Sequence, residues 1–552
     1  MAANGLKQRA TAATAAGQRR AQSSAGKLGG DGEEKPAKSS AAAAAGGKGS
    51  ATDKATAAGN KRSLTFAIGG VLTLLGVVGY TFLRQPGGSS SSSSSSSADV
   101  GAPAAGAPAQ TPLQSVEAKR ELARKGLDGL SSQDRRRKAK TLGLLTEEEV
   151  DAILEVNEKS WCLDPPATGG RGAMRLRVDT NQVSSNSPIE DYLAWAPMGP
   201  EGAARYMFSV FDGHAGYQCA EQLSVRLAPM LNESLEIAQK LAGQPGGAAG
   251  GTGGSKEMVK AVQDLVRSSG LEWDQVPLAL TATFIRMDQE LVHGALAEFR
   301  RAQELSRMDE LLGPAVSGSC GLVAVVDTAA REVVVANTGD SRALLGVRLK
   351  DGRWRAVRLS EDQTDRNPSE AARLAREHPG ETPLVRGRVL GGLMPTRAFG
   401  DCRYKWPLEV QQDLFPVLLA RGHRYATTPP NYATPPYVTA KPVIVKHQLS
   451  ESDKFIVIAS DGLYDQLSDS EVVDTVAQWF EANAARAAQG ASQTLVTPDK
   501  NAATHLIRVA LSTDVLGRRS DTVIRRLLAI PPPHSRRFRD DISVTVVTLN
   551  EE

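Results

Sequence analysis

The most informative hydrophobic pattern in this chain is a set of short runs rich in β-branched residues. Because such runs are typical of strands buried on at least one face, five strands are predicted, at 322–327, 332–337, 342–347, 454–460 and 542–549. The first two runs are separated by a short turn, which predicts a β-hairpin.

Between these runs, apolar residues recur at helical spacing. One stripe predicts a helix through Leu280, Phe284, Met287 and Leu291. Further helices are predicted over 219–241 and 471–488, and Thr146 with Glu149 forms a capping box. Strands and helical blocks follow one another without a regular β-α repeat. The pattern therefore predicts an α+β fold in which two packed central sheets are flanked by helices.

The first 62 residues have a different character, because they are rich in Ala, Gly, Ser and Lys and almost free of large apolar side chains. They carry 11 Lys/Arg and 4 Asp/Glu, while the whole chain has a net charge of only +3, so the remainder is net acidic. This balance argues against a nucleic-acid partner for the chain as a whole. The segment is predicted to be disordered. Its composition is typical of a mitochondrial presequence, with a generic basic tail as the alternative.

Residues 63–83 form a stretch of 21 residues without a charge, long enough to cross a hydrocarbon core of about 30 Å. They predict a single transmembrane helix, with a buried core helix as the alternative. Basic residues on the amino side favour a basic head on the inner face and a body across the membrane, although a long translocated domain leaves the orientation open. Residues 84–112, with nine consecutive serines, predict a flexible linker, and residues 113–552 are predicted to form one large folded domain. Within that domain, 243–255 is interpreted as a Gly-rich loop insertion.

The chemistry-bearing residues are carboxylates rather than cysteines. The four cysteines form no C-x-x-C pair, so neither a disulfide framework nor a zinc site is expected. Acidic residues instead lie close to the ends of predicted strands, and the sequence I-E-D-Y adds two more. They are Asp212, Asp340, Asp461 and Asp465 after strands, Asp540 and Asp541 just before the last strand, and Glu190 and Asp191. Each alone reads as a turn or cap residue. Together they predict one cleft whose carboxylates bind Mg²⁺ or Mn²⁺, the ions that hard oxygen ligands select.

Several sequence blocks resemble those of the metal-dependent, type-2C serine/threonine protein phosphatases. In chain order they are M-F-S-V-F-D-G-H-A (207–215), S-G-S-C (317–320), N-T-G-D-S-R (337–342), G-R-V-L-G-G-L with T-R-A-F-G-D (387–401), A-S-D-G-L-Y-D (459–465) and R-D-D-I-S-V (539–544). The resemblance covers about 145–549. It implies the β-sandwich fold of that family and hydrolysis of phosphoserine or phosphothreonine on proteins by a water that bridges two metal ions.

The resemblance also implies a role for each matching residue. Asp212 would bridge both metals and Gly213 would offer its carbonyl to one. Glu190 or Asp191, with Asp461 and Asp540, would complete the pair, and Asp340 and Asp465 match a looser third metal site. His214 would be the general acid that protonates the departing oxygen. Cys219, Cys320 and Cys402 are interpreted as packing residues.

Within the family, the body is most similar to the catalytic subunit of mitochondrial pyruvate dehydrogenase phosphatase. The blocks that carry this are 145–160, 185–191, 392–406 and 429–442. Asn186 stands where many family members have a phosphate-binding Arg, so Arg397 or Arg388 is the candidate for that role. The pyruvate dehydrogenase complex is then the implied partner, in the matrix of mitochondria.

The predicted transmembrane helix at 63–83 conflicts with a matrix location. If residues 1–62 stay in the matrix, a helix that crosses the inner membrane would place residues 113–552 in the intermembrane space. A phosphatase on another membrane, with other substrates, is one alternative. A pseudophosphatase scaffold is disfavoured because no expected aspartate is missing.

Overall fold

The computed structural model describes residues 111–164, 173–199, 203–242, 274–489, 499–514 and 516–550. The predicted disordered head, the predicted transmembrane segment 63–83, nearly all of the predicted linker and the Gly-rich insertion 243–255 lie outside these residues. Within the described part of the chain, no helix is long and apolar enough to cross a membrane.

Sixteen strands are found in the described residues, and every pair is antiparallel. In chain order they are β1 Lys159–Leu163, β2 Leu176–Val183, β3 Tyr192–Pro197, β4 Arg205–Phe211, β5 Gly213–His214, β6 Gly318–Ser319, β7 Gly321–Asp327, β8 Glu332–Thr338, β9 Arg342–Arg348, β10 Trp354–Arg358, β11 Leu384–Val385, β12 Arg388–Val389, β13 Phe399–Gly400, β14 Val443–Gln448, β15 Asp453–Ala459 and β16 Ile542–Leu549. One sheet has the order β1-β2-β16-β15-β9-β10 and a second has the order β14-β8-β7-β4-β3. Two small sheets, β13-β6-β5 and β11-β12, accompany them.

The two large sheets pack face to face, and their central strands are buried on both faces. In β15, Ile456 and Ile458 join the core between the sheets, whereas Phe455 and Val457 pack against helices on the other side. Strand β7 alternates in the same way. This two-sided burial explains why the strands read as continuous apolar runs, since neither face needs polar residues. Each fully buried aliphatic side chain of this core contributes about 1.5–3 kcal/mol.

The helices lie outside the sheets, as the pattern predicted. They are α1 Pro112–Leu127, α2 Ser132–Ala139, α3 Glu147–Leu154, α4 Gln218–Ala242, α5 Gln275–Gln289, α6 Ala295–Ala302, α7 Met308–Val316, α8 Pro368–Glu377, α9 Leu408–Ala420, α10 Asp461–Tyr464, α11 Asp469–Gln489, α12 Ala502–Ser512 and α13 Asp521–Ala529. A five-residue π-helical segment, Glu290–Gly294, links α5 to α6. Helices α4 and α5 cover the five-stranded sheet, and α11 to α13 cover the six-stranded sheet.

The predicted elements are confirmed where the structure describes them. The hairpin is β7 with β8, the predicted apolar stripe is buried in α5 and the segment that follows it, and the capping box at Thr146 begins α3. The α+β class with two packed sheets and outer helices is therefore the observed architecture.

Candidate active site

Three aspartates that are far apart in sequence meet at one end of the sandwich. Asp212 lies between β4 and β5, Asp340 lies in the turn between β8 and β9, and Asp461 is the first residue of α10. Each offers a carboxylate oxygen, and these oxygens lie within 4.8 Å of one another. The ends of the strands thus bring these three carboxylates into one place, as the sequence predicted.

These aspartates line a cleft with a volume of about 1020 Å³. The cleft also contains most of the other predicted site residues, namely Glu190, Gly213, His214, Asp465, Asp540 and Arg388. Asp191 is different, because it does not line the cleft and is only 2 % exposed. Its Oδ2 has no hydrogen-bond partner among the described residues. Of the two alternatives, Glu190 is therefore the residue that lines the cleft, and Asp191 is buried outside it.

The carboxylates of the cleft strongly disfavour one another's ionisation. Burial raises the pKa of Asp212 and of Asp461 well above the usual range, and the neighbouring aspartates raise both further. Burial likewise raises the pKa of Asp540 to about 6, although Arg536 opposes the shift. Cations would relieve this repulsion, because they favour the ionised forms. The donor set contains carboxylate and carbonyl oxygens without thiolate, which fits Mg²⁺ or Mn²⁺.

Two glycines allow the backbone segments of the site to approach closely. A Cβ atom on Gly213 would lie 2.2 Å from the carbonyl oxygen of Glu190. A Cβ atom on Gly462 would lie 2.1 Å from the carbonyl oxygen of Asp541 and 3.2 Å from the Cβ atom of Asp540. The Asp-Gly pairs are therefore required by packing between the two halves of the cleft, and not by turn conformation alone.

We expect Gly462→Ala to destabilise the fold by about 1–3 kcal/mol, because the added methyl group must push α10 away from the 540–541 backbone. The same displacement separates Asp461 from Asp540, so the Mn²⁺ concentration needed for half-maximal activity should rise. Urea unfolding and a Mn²⁺ titration measure the two effects. Gly143→Ala is the matched control, since a Cβ atom there meets nothing within 4 Å. Equal stability of the two variants would contradict the prediction.

Asp541 organises the loop that carries Glu190. Its carboxylate accepts hydrogen bonds from the backbone N–H groups of Ser185, Asn186 and Glu190, at 2.5, 3.0 and 2.9 Å. The side-chain amide of Asn186 donates a further bond, at 3.1 Å. Asn186 is thus committed to holding the loop, and it has no cationic group with which to bind phosphate.

His214 is held by a carboxylate that was not singled out from the sequence. Its Nε2 lies 2.7 Å from Oδ2 of Asp401, whose side chain is only 4 % exposed. The small sheet β13-β6-β5 sets this pair, because His214 and Gly400 both lie opposite Gly318. A Cβ atom on Gly318 would lie 2.2 Å from His214 Nε2, so only glycine fits between the two strands. The remaining ring nitrogen, Nδ1, has no hydrogen-bond partner within the described residues and is free to meet a substrate.

The environment favours a protonated His214. Burial by itself lowers the pKa of this imidazole, but the carboxylate of Asp401 outweighs that effect, and Asp340 and Glu190 add to it. The net pKa therefore lies above the ordinary value. A histidine that keeps its proton near neutral pH is suited to donate it to a leaving group.

The cleft is also rich in arginine. The arginines that line it are Arg388, Arg403, Arg421, Arg424 and Arg536. Arg388 is exposed and donates to the carbonyl oxygen of Gly392 at 3.1 Å. Arg536 is half-exposed and pairs with Asp540 at 2.7 Å.

The expectation for Arg397 is corrected by its surroundings. It does not line the cleft, and its side chain is only 11 % exposed. Its guanidinium forms a paired contact with Glu370, whose pKa is lowered to about 2 because the Arg397 and Arg373 bonds outweigh burial. The donors of Arg397 are thus already used within the fold, and Arg388 and Arg536 are the candidates for phosphate.

Known protein phosphatases are similar to this chain in sequence. The family model described as Protein phosphatase 2C matches residues 267–510. A protein phosphatase 2C homolog of Schizosaccharomyces pombe is 36 % identical over 395 residues, which cover 68 % of this chain and 81 % of that protein. The mitochondrial [pyruvate dehydrogenase [acetyl-transferring]]-phosphatase 2 of Homo sapiens is 34 % identical over 428 residues, covering 68 % and 78 %. The corresponding phosphatase 1 of Saccharomyces cerevisiae is 31 % identical over 465 residues, covering 74 % and 73 %.

The chain belongs to the protein phosphatase 2C family. It is a serine/threonine protein phosphatase that removes phosphate from proteins in a metal-dependent reaction, and it is similar to the pyruvate dehydrogenase phosphatases.

Proposed function

We propose that this phosphatase dephosphorylates pyruvate dehydrogenase E1 on serine in mitochondria. One observation supports the hydrolysis of phosphate: carboxylate oxygens of Asp212, Asp340 and Asp461 lie within 4.8 Å of one another. The His214–Asp401 pair lines the same cleft. The substrate part is supported by the similarity to the human and yeast pyruvate dehydrogenase phosphatases over more than two thirds of the chain.

The metal-binding residues follow from the cleft. Asp212, Asp461, Asp540 and Glu190, together with the carbonyl of Gly213, would hold two Mg²⁺ or Mn²⁺ ions, and Asp340 and Asp465 would serve a third. When bound, such ions act as Lewis acids toward the phosphate and lower the pKa of a water near them. Asp541 keeps the loop of Glu190 in place. Asp191, the next residue, is buried, and burial together with Asp541 raises its pKa well above the usual range.

The other groups act on the phosphate and on the leaving oxygen. Arg536 and Arg388 present guanidinium donors to phosphate oxygens, a geometry that arginine supplies well. His214 donates its proton to the departing seryl oxygen, and Asp401 keeps the imidazole oriented and protonated beforehand. The cleft therefore supplies both a phosphate clamp and an acid for a poor leaving group.

A covalent route through cysteine does not fit the chain. Burial raises the pKa of Cys219, Cys320 and Cys402 well above the usual range, and carboxylates raise each further. A thiol with a raised pKa stays protonated and is a poor nucleophile. These cysteines pack in the fold, so direct hydrolysis is the proposed reaction.

The test uses the purified chain with phosphorylated pyruvate dehydrogenase E1 and, in parallel, with phosphorylated casein and a phosphotyrosine peptide. We expect phosphate release from E1 that needs Mg²⁺ or Mn²⁺, stops with EDTA, and exceeds the release from casein at least about tenfold in kcat/KM. Release from casein equal to that from E1 would reject the proposed substrate while keeping the phosphatase. No metal-dependent release from either phosphoprotein would reject the catalytic assignment.

The proposed location rests on the basic head at 1–62 and on the mitochondrial relatives. The segments 1–62, 63–83 and 84–112 are proposed as presequence, anchor and linker to the catalytic domain 113–552. Protease treatment of intact and ruptured mitochondria, followed by carbonate extraction, tests this. Protection until the inner membrane is opened would support access to matrix E1. Digestion once only the outer membrane is broken would place the body in the intermembrane space and exclude E1.

A further inference from the structure

A basic face lies next to the cleft, on the second helix of the structure. Helix α2 has the sequence S-Q-D-R-R-R-K-A and is followed by Lys140. Lys140 follows Arg136 by four residues and Arg137 by three, so it is a neighbour of both on the helix surface. All three are exposed. The one acidic residue of the helix, Asp134, accepts a hydrogen bond from the hydroxyl of the N-cap Ser131 at 2.6 Å.

A second element adds its charge to this face. The 3₁₀ turn His534–Arg537 precedes the last strand, and the exposed Arg537 lines a shallow pocket of about 390 Å³ together with Ser132, Gln133 and Arg136 of α2. We call Arg136, Arg137, Lys140 and Arg537 the basic track. Among the described residues, none of the four has an ion-pair partner, unlike Arg536 with Asp540 or Arg421 with Asp309.

The basic track is joined to the catalytic cleft through consecutive residues. Arg536 lines the cleft and Arg537, the next residue, lines the pocket beside α2. The connection is packed, because Leu127, Ala139 and Ile530 form a buried cluster against which Phe538 lies. His534 also contacts Asp128 at 3.1 Å, which ties the turn to the α1–α2 connection. A ligand on the track is therefore held at a fixed position relative to the cleft.

We propose that the basic track is a docking surface for an acidic segment of the phosphoprotein substrate, outside its phosphorylated residue. The docking surface rests on the proposed function, in which the cleft dephosphorylates a phosphoprotein, and adds to it a substrate class that carries an acidic segment. Unpaired guanidinium groups that lie side by side repel one another and gain from an anionic partner, and arginine pairs well with carboxylates. The continuity with the cleft favours the substrate over a partner that binds elsewhere. A contact of this kind acts mainly on KM and on the dependence of the rate on salt.

The test uses a charge-reversal variant that carries both Arg136→Glu and Arg537→Glu. The matched control variant carries both Arg300→Glu and Arg301→Glu on α6, where the two arginines are also exposed. Three probes are used: a phosphoserine peptide with a remote tail of glutamates, the same peptide with glutamines in the tail, and p-nitrophenyl phosphate. Thermal unfolding of each variant checks the fold. A neutral variant that carries both Arg136→Gln and Arg537→Gln separates the loss of attraction for an acidic peptide from the repulsion that glutamate adds.

For the peptide with the glutamate tail, we expect the charge-reversal variant (Arg136→Glu and Arg537→Glu) to raise KM about tenfold at low salt. The dependence of KM on salt should also become weaker. The glutamine-tail peptide and p-nitrophenyl phosphate should change less than twofold, and the 300/301 variant should match the wild-type chain on all three probes. The neutral variant (Arg136→Gln and Arg537→Gln) should have a KM for the glutamate-tail peptide between those of the wild-type chain and the charge-reversal variant.

Equal losses on both peptides, or unchanged kinetics on the glutamate-tail peptide, would overturn the proposal. Binding to vesicles that contain anionic lipid is measured in parallel. A loss confined to vesicle binding would also overturn the proposal, because it would assign the face to a membrane. If the wild-type chain hydrolyses neither phosphopeptide, the proposed function fails instead; if it hydrolyses both with the same KM, only the docking surface fails.

Discussion

Asp461→Asn is expected to abolish metal-dependent hydrolysis of a phosphoserine peptide, with kcat/KM falling at least about 10³-fold. A carboxylate oxygen of Asp461 lies within 4.8 Å of carboxylate oxygens of Asp212 and Asp340, so an amide at position 461 removes one anionic ligand from the cluster. Metal ions supply several kcal/mol of charge stabilisation in such reactions, and each 1.36 kcal/mol corresponds to a tenfold change in rate. Steady-state kinetics over a wide range of Mn²⁺ concentrations measures the loss. Turnover within about tenfold of the wild-type chain would reject the assignment of Asp461.

The same substitution should raise the stability of the metal-free fold at neutral pH. A carboxyl group whose pKa is raised on folding destabilises the folded state at any pH above its unfolded-state pKa. This cost is full above the raised pKa, shrinks as the pH falls below it, and disappears below the unfolded-state pKa. Burial and neighbouring carboxylates raise the pKa of Asp461, so replacing its carboxyl group removes this cost at pH 7, and the gain in stability becomes smaller in acid.

Thermal unfolding measures this second effect. We expect a higher melting temperature for Asp461→Asn than for the wild-type chain in EDTA, and a smaller increase on adding Mn²⁺. Asp351→Asn is the control, because Asp351 is exposed and pairs with Arg353 in a turn away from the cleft. A lower melting temperature for Asp461→Asn in EDTA would mean that the side chain supports the fold by other contacts.

The sequence allowed prediction of the elements that have strong local patterns. The five apolar runs became β7, β8, β9, β15 and β16, because strands buried on both faces are apolar throughout. Strands β1, β10 and β14 were not predicted. They lie at sheet edges, where one side of the strand is exposed and the apolar pattern is weak.

The site divides in a similar way. Asp212, Asp340 and Asp461 were predicted because each follows a strand end within a recognisable block, and the structure brings them together. The role of Asp401 was not predicted, because its partner His214 is 187 residues away and meets it only across the small sheet. Arg397 was one of two candidates for phosphate, with Arg388 as the alternative, and its pairing with Glu370 is a tertiary contact that no local pattern reveals.

His214→Ala is expected to separate substrates by their leaving groups. A positioned general acid contributes about 10²–10⁴-fold when the departing oxygen is basic, as in serine. The departing oxygen of p-nitrophenyl phosphate is a much weaker base and gains little from protonation. We therefore expect a loss of about 10²–10⁴ in kcat on a phosphoserine peptide and less than about tenfold on the aryl phosphate.

Asp401→Asn serves as the companion variant. Asparagine keeps the size of the side chain that faces His214 Nε2 but removes the negative charge that raises the pKa of the imidazole. If Asp401 acts through His214, Asp401→Asn should lower kcat on the phosphoserine peptide, but by less than His214→Ala does. Combined with His214→Ala, it should cause no further loss of kcat. Equal losses on both substrates for His214→Ala would remove the general-acid role, because a side chain that only shapes the cleft affects good and poor leaving groups alike.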